Sequence, residues 1–488
     1  MAIAILFASS EIEPWAKTGG LGDVSSALPR ALASQGMEVR ILVPGYPAVL
    51  DAFPRRKVVA TVSDQIGEMP PATVSLASLG RRLDLLMLEC PPYFERAGNP
   101  YVDAAGNDWS DNALRFGLLS KVAALFSSTQ SPLDRAPDIL HCNDWQTALA
   151  PAYLRFCFDP VARSVITIHN LAFRGLFGRG LLVPLGLPEH AFTFDGVEFH
   201  GSLSFLKAGL QCCDWITTVS PTYRQEICTP AHGWGLDGLL RYRDDRLSGI
   251  LNGINTAEWN PARDSLLPAR FSRDRLGGKL DNRRALEAEA GLAAITDSPI
   301  IGMVGRLTAQ KGVDLVLENV DALIGHGVRI VVLGTGEPRF EAAWRDVALR
   351  HPGRVAVRIG FDNRLAHLIE AGADIFLMPS RFEPCGLNQM YSLAYGTPPV
   401  VHATGGLADT VVDCTARSLA DGTANGFSFG TPSAPALLAT TLRAIDTWRD
   451  RATWHRLQRN GMAGDFSWTH AARQYGALYG RLASASRG

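Results

Sequence analysis

Short apolar segments alternate with amphipathic segments along most of this chain of 488 residues. Residues 2–8 form the first apolar segment, a glycine-containing loop follows, and apolar residues then recur at helical spacing from Val24 to Leu32. Gly36 ends this helix, and residues 39–43 form the next apolar segment. A strand, a helix and a second strand in this order require a crossover, which joins parallel strands. The pattern therefore predicts the α/β fold class, with doubly wound parallel sheets.

The alternation runs in two series, which predict two sheets. In the first half, strands are predicted at residues 138–142, 164–168, 216–220 and 249–251, with a meander or hairpin at an edge over residues 57–88. In the second half, strands are predicted at residues 300–304, 329–333, 355–359, 374–378 and 399–402, with helices such as 313–324 and 340–350 between them.

Charged residues and prolines are concentrated in residues 252–298, which therefore suit a linker or a surface connection. The sequence predicts an N-terminal domain of residues 1–251, a C-terminal domain of residues 252–465 and a terminal segment of residues 466–488. A helix is predicted at residues 468–482 of that segment, and the small polar tail, residues 483–488, is predicted to fray.

The composition argues against several classes of protein. The 47 Lys and Arg residues nearly balance 48 Asp and Glu, whereas nucleic-acid binding usually needs a basic face. Eight cysteines without a C-x-x-C pair favour buried thiols over a zinc site or a disulfide framework. The apolar opening is too short to span a membrane and lacks a basic leader, so a soluble cytoplasmic protein is predicted. No D-x-D triplet offers obvious ligands for a metal-bridged nucleotide sugar.

The loop after the first predicted strand is rich in glycine and contains Lys17, Gly19, Gly20 and Asp23. Glycines allow a ligand to approach the backbone closely, and the N–H groups of a helix N-terminus attract anions. The alternative is an ordinary turn in which Asp23 caps the helix. The charge of Lys17 beside the glycines favours a loop that binds a phosphate or a sugar.

Polar residues follow two further strands of the first half. Asp144 could accept hydrogen bonds from sugar hydroxyls or cap the next helix, and in isolation the cap is the simpler interpretation. His169 and Asn170 end another strand. A lone histidine is usually structural, but ligands favour the carboxyl ends of parallel strands, so this pair is a candidate for ligand contact.

Two loops of the second half carry the clearest chemistry. Arg306 and Lys311 lie between a strand and a helix, an arrangement that suits a diphosphate gaining negative charge as it leaves, although a solvated turn is the alternative. Glu383 follows a later strand, where its carboxylate could hold sugar hydroxyls. Cys385 has no obvious base in sequence and is better explained as a small packed residue than as a nucleophile. Thr404 and the glycines after it offer further backbone donors.

Taken together, these motifs resemble those of the bacterial glycogen synthase and plant starch synthase family over nearly the whole chain. The motifs are KTGGLGDV at residues 17–24, GRLTAQKG at 305–312, PSRFEPCGLNQM at 379–390 and YGTPPVVHATGGLADTV at 395–411. The absence of a transit peptide or N-terminal extension favours the bacterial branch. The resemblance implies a glycosyltransferase-B architecture, with two Rossmann-like domains facing across a cleft and the last helix crossing back onto the first domain.

The resemblance also implies a reaction. A retaining, metal-independent transfer would add glucose from ADP-glucose to the nonreducing end of an α-1,4-glucan, with no cofactor besides the donor substrate. The implied catalytic set is His169, Arg306, Lys311, Glu383 and Asp144. The implied substrate-binding set is Lys17, Gly19, Gly20, Asp23, Tyr101, Asn170, Asn252, Phe361, Cys385, Gly386, Leu387, Thr404 and Gly405.

Some positions depart from the family pattern. Asn143 and Gln146 stand where the family often has histidine, Asn255 stands where it often has aspartate, and Phe361 replaces a frequent tyrosine while keeping an aromatic surface for the base. Roles for the first three side chains are correspondingly weaker.

Other functions stay open at this point. Another transferase or a nucleotide-sugar epimerase would use the same fold, a phosphorylase would need a lysine bound to pyridoxal phosphate, and a nonenzymatic glucan- or nucleotide-binding protein would show no turnover. The sequence does not decide between ADP and UDP donors, and it leaves the oligomeric state open.

Overall fold

A computed structural model describes residues 2–63, 68–103 and 105–484. The chain divides into two compact units. The first unit comprises Met1–Asn252 and Trp468–Gly488, and the second comprises Gly253–Ser467. No helix in the described part of the chain is long and apolar enough to cross a membrane.

Within its described residues, the first unit contains a large sheet in the strand order β12-β11-β7-β6-β1-β2-β5-β4-β3. Its strands are β1 (Ala4–Ala8), β2 (Glu38–Pro44), β3 (Lys57–Val62), β4 (Ala72–Gly80), β5 (Leu83–Glu89), β6 (Ile139–Asn143), β7 (Arg163–Ile168), β11 (Trp215–Thr218) and β12 (Leu247–Gly249). A small antiparallel sheet contains β8 (Leu176–Phe177), β9 (Glu198–Phe199) and β10 (Ser202–Ser204). The large sheet is parallel from β12 to β5, whereas β5, β4 and β3 pair antiparallel, which confirms the predicted meander at an edge.

The strand predicted at residues 249–251 lies two residues earlier, as β12. Leu247 is buried and pairs with Ile216 of β11, so the register begins there. The apolar pair Ile250-Leu251 suggested a later strand, although these residues already belong to the loop that leaves the sheet.

Helices cover both faces of this parallel region because its strands are apolar on both sides. They are α1 (Gly20–Ser34), α2 (Pro47–Ala52), α3 (Pro91–Phe94), α4 (Asn112–Phe126), α5 (Ala150–Phe156), α6 (Phe205–Cys212), α7 (Pro221–Glu226) and α8 (Asp237–Tyr242).

The second unit contains one parallel sheet, in the order β15-β14-β13-β16-β17-β18. Its strands are β13 (Ile300–Val304), β14 (Arg329–Gly334), β15 (Val355–Ile359), β16 (Ile375–Met378), β17 (Pro399–His402) and β18 (Phe427–Phe429). Its helices are α9 (Gly278–Ala290), α10 (Val313–Leu317), α11 (Val320–Gly325), α12 (Pro338–Arg350), α13 (Asn363–Gly372), α14 (Asn388–Ala394), α15 (Gly405–Thr410), α16 (Ala416–Ala420), α17 (Ala434–Arg449) and α18 (Arg451–Met462). Successive residues of a strand point to opposite faces of the sheet. In β13, Ile300 packs into the hydrophobic core on one face and Ile301 into the core on the other, so the sheet is doubly wound.

Two predictions for this unit are wrong. The stretch at residues 252–298 is not a linker, because it contains α9 and the buried side chains of Phe271 and Leu286. The helix predicted over residues 313–324 is divided into α10 and α11 at Asn319. The Asn319 side chain donates to the carbonyls of Leu315 (2.9 Å) and Ala434 (2.8 Å), and asparagine competes in this way with regular helical hydrogen bonding.

The final helix, α19 (Trp468–Ser484), belongs to the first unit and packs on α1. The Tyr479 hydroxyl contacts Nδ1 of His141 at 2.7 Å, and the Gln35 amide donates to the Thr469 carbonyl at 3.3 Å. Of the tail that was predicted to fray, residues 483 and 484 end this helix, and residues 485–488 lie outside the described residues.

Candidate active site

The glycine loop of the first unit leads from β1 into α1. Gly19 is the N-cap residue of α1, so the alternative in which Asp23 caps the helix is wrong. Asp23 instead accepts a hydrogen bond from Lys17 Nζ at 2.7 Å. Gly20 begins the helix. A partly exposed ion pair therefore stands beside the free N–H groups of the helix start.

Glu11 organises this loop, and sequence reasoning missed it. Its buried carboxylate accepts hydrogen bonds from the backbone N–H groups of Thr18 (2.8 Å) and Gly19 (3.2 Å). It also accepts from the hydroxyls of Thr18 and Tyr101, each at 2.6 Å. Tyr101, which was predicted to bind substrate, thus supports the loop through Glu11. Its hydroxyl oxygen also lies 2.8 Å from Ser10 Oγ. A carboxylate three residues after a buried strand was the available signal for this role.

The loops after β6 and β7 meet through Asp144. One carboxylate oxygen of this buried residue accepts hydrogen bonds from the backbone N–H groups of His169 (2.8 Å) and Asn170 (3.3 Å). Asp144 makes no side-chain capping bond to the short helical turn that follows it, so the simpler interpretation as a cap is wrong. It fixes the direction of the loop that carries His169.

The His169 ring is held by Asn143, the residue that departs from the family pattern. The Asn143 amide nitrogen donates to the Ala8 carbonyl at 3.0 Å, so its oxygen faces His169 Nε2 at 3.0 Å. This arrangement assigns the ring proton to Nε2. Burial lowers the pKa of His169 to about 3, so the ring is neutral near pH 7 and acts as a polar, uncharged group.

Burial also raises the pKa of Asp144 to about 7, while the two backbone donors oppose this shift. The folded protein therefore binds a proton that an unfolded aspartate, with a pKa near 3.9, has already released. We expect the free energy of unfolding to fall, relative to an Asp144→Asn variant, as the pH rises from about 4 to about 7. The expected slope is about 1.4 kcal/mol per pH unit within that window, with no further change above it. Urea unfolding of both proteins between pH 4 and 8 measures the difference, and parallel stability curves would contradict the assignment.

In the second unit, the loop between β13 and α10 carries both predicted cations. The Arg306 side chain is exposed and makes no hydrogen bond or ion pair with any described residue. Lys311 ends a short helical turn and places Nζ 2.5 Å from Glu383 Oε2. The Ser380 hydroxyl donates to the same carboxylate oxygen at 2.9 Å. Glu383 is buried, so this ion pair is shielded from water on most sides.

Backbone and side-chain contacts hold this loop against the one after β16. The Arg381 N–H donates to the Gln310 carbonyl at 2.8 Å, and the Arg381 guanidinium forms a two-pronged ion pair with Asp314 at 2.7 and 2.6 Å. The Asn388 amide donates to the Val304 carbonyl at 2.7 Å. These contacts join the two polypeptide segments that carry Lys311 and Glu383.

The two glycines after β17 allow their loop to approach the backbone of Glu383 and Cys385 closely. A Cβ atom at Gly405 would lie 2.0 Å from the Glu383 carbonyl oxygen, and Gly405 has a left-handed φ of +43°. A Cβ atom at Gly406 would lie 2.0 Å from the Cys385 carbonyl oxygen. Cys385 and Thr404 are buried. The structure thus gathers the predicted residues of the second unit, from Glu383 to Leu387 and from Thr404 to Gly405, at one edge of its sheet.

Asn252 and Phe361 are the remaining predicted binding residues. Asn252 is buried at the last position of the first unit's main segment. Phe361 follows β15 and is 91% exposed, so its ring faces are accessible.

Among the described residues, no group of three or more His, Cys, Asp or Glu side chains is placed to hold a metal ion.

Comparisons with known proteins identify the family of this chain. The family described as "Starch synthase catalytic domain" matches residues 4–242, and "Glycosyl transferases group 1" matches residues 287–460. A protein named "Glycogen synthase" from Dechloromonas aromatica (strain RCB) is 54% identical over 478 residues, which cover 98% of each chain. The chain belongs to the bacterial glycogen synthase and plant starch synthase family. It is therefore a glycosyltransferase.

Structural and further sequence neighbours extend this assignment. The catalytic domain of Arabidopsis thaliana starch synthase IV, solved with ADP and acarbose, has a TM-score of 0.88 at 32% identity and covers 99% of this chain and 100% of that one. A "Glycogen synthase" from Nitrosospira multiformis is 51% identical over 487 residues, covering 99% of this chain and 98% of that protein. A sucrose-phosphate synthase from Thermosynechococcus elongatus, with a TM-score of 0.61 at 18% identity, shares the fold. The predicted two-domain glycosyltransferase-B architecture is confirmed.

Proposed function

We propose that this glycosyltransferase moves glucose from ADP-glucose to the nonreducing end of an α-1,4-glucan with retention at the anomeric carbon, and so extends glycogen in the cytoplasm. The names of its full-length relatives and the ADP and acarbose of the starch synthase neighbour support the donor and the acceptor. All eight cysteines are described, and all eight are free thiols.

The observation that carries this proposal is the arrangement around Glu383. A buried carboxylate, held by Lys311 and Ser380, lies beside the loop of Arg306, whose guanidinium pairs with no residue that the structure describes. We assign the diphosphate of the donor to Arg306 and Lys311, and the glucose hydroxyls to Glu383. An ammonium group has three N–H donors, so Lys311 can keep its bond to Glu383 while donating to a phosphate oxygen.

The backbone N–H groups of Cys385, Gly386 and Leu387 would add donors for the glucose, and Thr404 and Gly405 would add donors at the edge of the same site. Phe361 would offer its exposed ring to the base. An exposed aromatic face suits stacking on an adenine ring.

In the first unit, we assign Lys17 and the N–H groups of Gly19 and Gly20 to donor contacts, with Asp23 positioning the Lys17 ammonium. Asp144 holds the peptide of His169, so that the His169 carbonyl oxygen can face the anomeric carbon. Partial negative charge from a carbonyl dipole stabilises a carbon that becomes positive in the transition state. Because the His169 ring is neutral, it adds no opposing positive charge.

The chemical step breaks the bond between the anomeric carbon and the phosphate oxygen, and the electron pair leaves with ADP. The acceptor hydroxyl forms the new glycosidic bond on the same face and gives its proton to the departing phosphate. Arg306 and Lys311 stabilise the negative charge as it develops. Exclusion of water prevents the competing hydrolysis of the donor.

A radiolabelled-donor assay tests this function. With glycogen as primer, we expect label from ADP-glucose in ethanol-precipitable polymer that β-amylase releases as maltose, because β-amylase cuts α-1,4 linkages from the nonreducing end. A parallel reaction with UDP-glucose measures whether the enzyme prefers adenine or uracil in the donor nucleotide. Label recovered only as free or epimerised sugar would favour a hydrolase or an epimerase, and donor binding without turnover would favour a nonenzymatic binding protein.

A further inference from the structure

A hollow of about 430 Å³ opens at the amino ends of β1, β2 and β5 in the first unit. This edge of the sheet is opposite to the one that carries Glu11 and Asp144, since both of these follow the carboxyl ends of their strands. Small-molecule sites commonly have volumes of about 300–1,000 Å³. The charged residues that line the hollow are Glu38, Arg40, Arg81, Arg82, Asp84 and Arg135.

Positive charge exceeds negative charge in this hollow. Glu38 is shared between Arg135 at 2.9 Å and Arg82 at 3.5 Å, and Arg135 also pairs with Asp138. Among the described residues, the Arg40 guanidinium donates only to a neutral group, the Arg135 carbonyl, at 3.2 Å, and Asp84, its register partner on β5, forms no ion pair with it. The exposed Arg81 side chain makes no hydrogen bond or ion pair with any residue that the structure describes. Within the same described residues, neither guanidinium has a carboxylate partner.

The turn that presents two of these arginines adopts a conformation that arginine disfavours. Arg81 and Arg82 form the two-residue connection between β4 and β5, where Gly80 pairs with Leu83. Arg82 has a φ of +63°, in the left-handed region where glycine and asparagine are the usual residues. Its carbonyl accepts a hydrogen bond from Val39 N at 2.9 Å, so the turn is fixed to β2. Strain of this kind is concentrated at functional sites, and here it belongs to a residue that lines the hollow.

We propose that this hollow binds a small organic phosphomonoester, at a site separate from the donor loops. Guanidinium groups match phosphate oxygens in pairs, and a dianion would compensate the two guanidinium groups that lack carboxylate partners. The volume leaves room beyond a phosphate group for a sugar or a nucleoside.

Titration calorimetry at low salt tests the proposal with the full chain and with the double variant Arg40→Gln, Arg81→Gln. Glutamine keeps most of the side-chain length, so the variant removes the two guanidinium groups that lack a carboxylate partner and leaves the left-handed turn at Arg82 unchanged. The probes are a hexose monophosphate, AMP and inorganic phosphate. For at least one organic probe, we expect one more binding site in the wild-type protein than in the variant, or a Kd at least tenfold higher in the variant. Arg30→Gln, which changes an exposed arginine on α1, is the matched control and should bind like wild type.

Binding of a probe at the donor loops persists in both proteins, so the difference between them reports the hollow alone. Hydrogen exchange in the wild-type protein gives a second readout, with protection expected at the Leu83 amide. Equal binding by the wild-type protein and the double variant would overturn the proposal. Equal affinity for inorganic phosphate and for the organic probes would overturn the assignment to an organic ligand.

Discussion

Replacement of Lys311 by alanine is expected to lower kcat for glucosyl transfer by about 10²–10³-fold. Nζ of this residue lies 2.5 Å from Glu383 Oε2, in the loop that also presents Arg306. On the proposed assignment, the alanine variant loses a positive charge where the diphosphate leaves. Among the described side chains, Glu383 then keeps only the Ser380 hydroxyl as a hydrogen-bond partner. Initial rates of glucan labelling at saturating donor and primer measure the effect.

Two comparisons separate a direct role of Lys311 from a positioning role. Lys57→Ala removes an exposed lysine from the edge strand β3 and should leave kcat unchanged. If Lys311 acts only by holding Glu383, its removal from a Glu383→Ala background should have no further effect. If it also stabilises the leaving group, a large part of the loss should persist in that background. Near-native kcat in the single variant, with an unchanged thermal unfolding midpoint, would refute the assignment.

Glu11→Ala is expected to lower kcat/KM by about 10²-fold, although Glu11 need not touch the substrate. Its carboxylate holds the N–H groups of Thr18 and Gly19 and the Tyr101 hydroxyl. Loss of that acceptor allows the loop to shift, and a displacement of about 1 Å at a reacting group can cost that much. Thr18 and Gly19 are exposed, so water can replace their bonds to Glu11, and we expect the fold to lose only about 1–3 kcal/mol in total, chiefly through the hydrogen bond of the half-buried Tyr101 hydroxyl. Steady-state kinetics and urea unfolding measure the two effects.

A graded series tests whether Glu11 acts through the loop. Glu11→Gln keeps one acceptor oxygen and should give an intermediate kcat/KM, whereas Glu95→Ala, at an exposed glutamate of the same unit, should resemble wild type. Amide exchange should accelerate at Thr18 and Gly19 in the alanine variant. A stability loss with unchanged kcat/KM would show that the carboxylate supports only the fold.

Most strands were predictable because their signal is local. Near-continuous apolar runs marked β13, β15 and β17 at the residues where the structure has them. The stretch at residues 252–298 was misjudged because its charged residues find partners far along the chain. Arg329, for example, is fully buried against Glu287 in α9, at 2.6 Å. A charged residue stays at the surface unless an oppositely charged partner is buried with it. The sequence alone does not show which residues will become such partners.

The sequence by itself determined which loops gather at the carboxyl edge of each sheet, since glycines, cations and acids that follow successive parallel strands must lie at one edge of that sheet. Tertiary structure alone decided how those groups are paired. It paired Lys311 with Glu383, and it placed the Asp144 carboxylate against the backbone N–H of His169 rather than at a helix start. It also brought Glu11 to the glycine loop and Asn143 to the His169 ring. Local spacing fixes the element on which a side chain lies, whereas its partner and its desolvation depend on segments brought together only by folding.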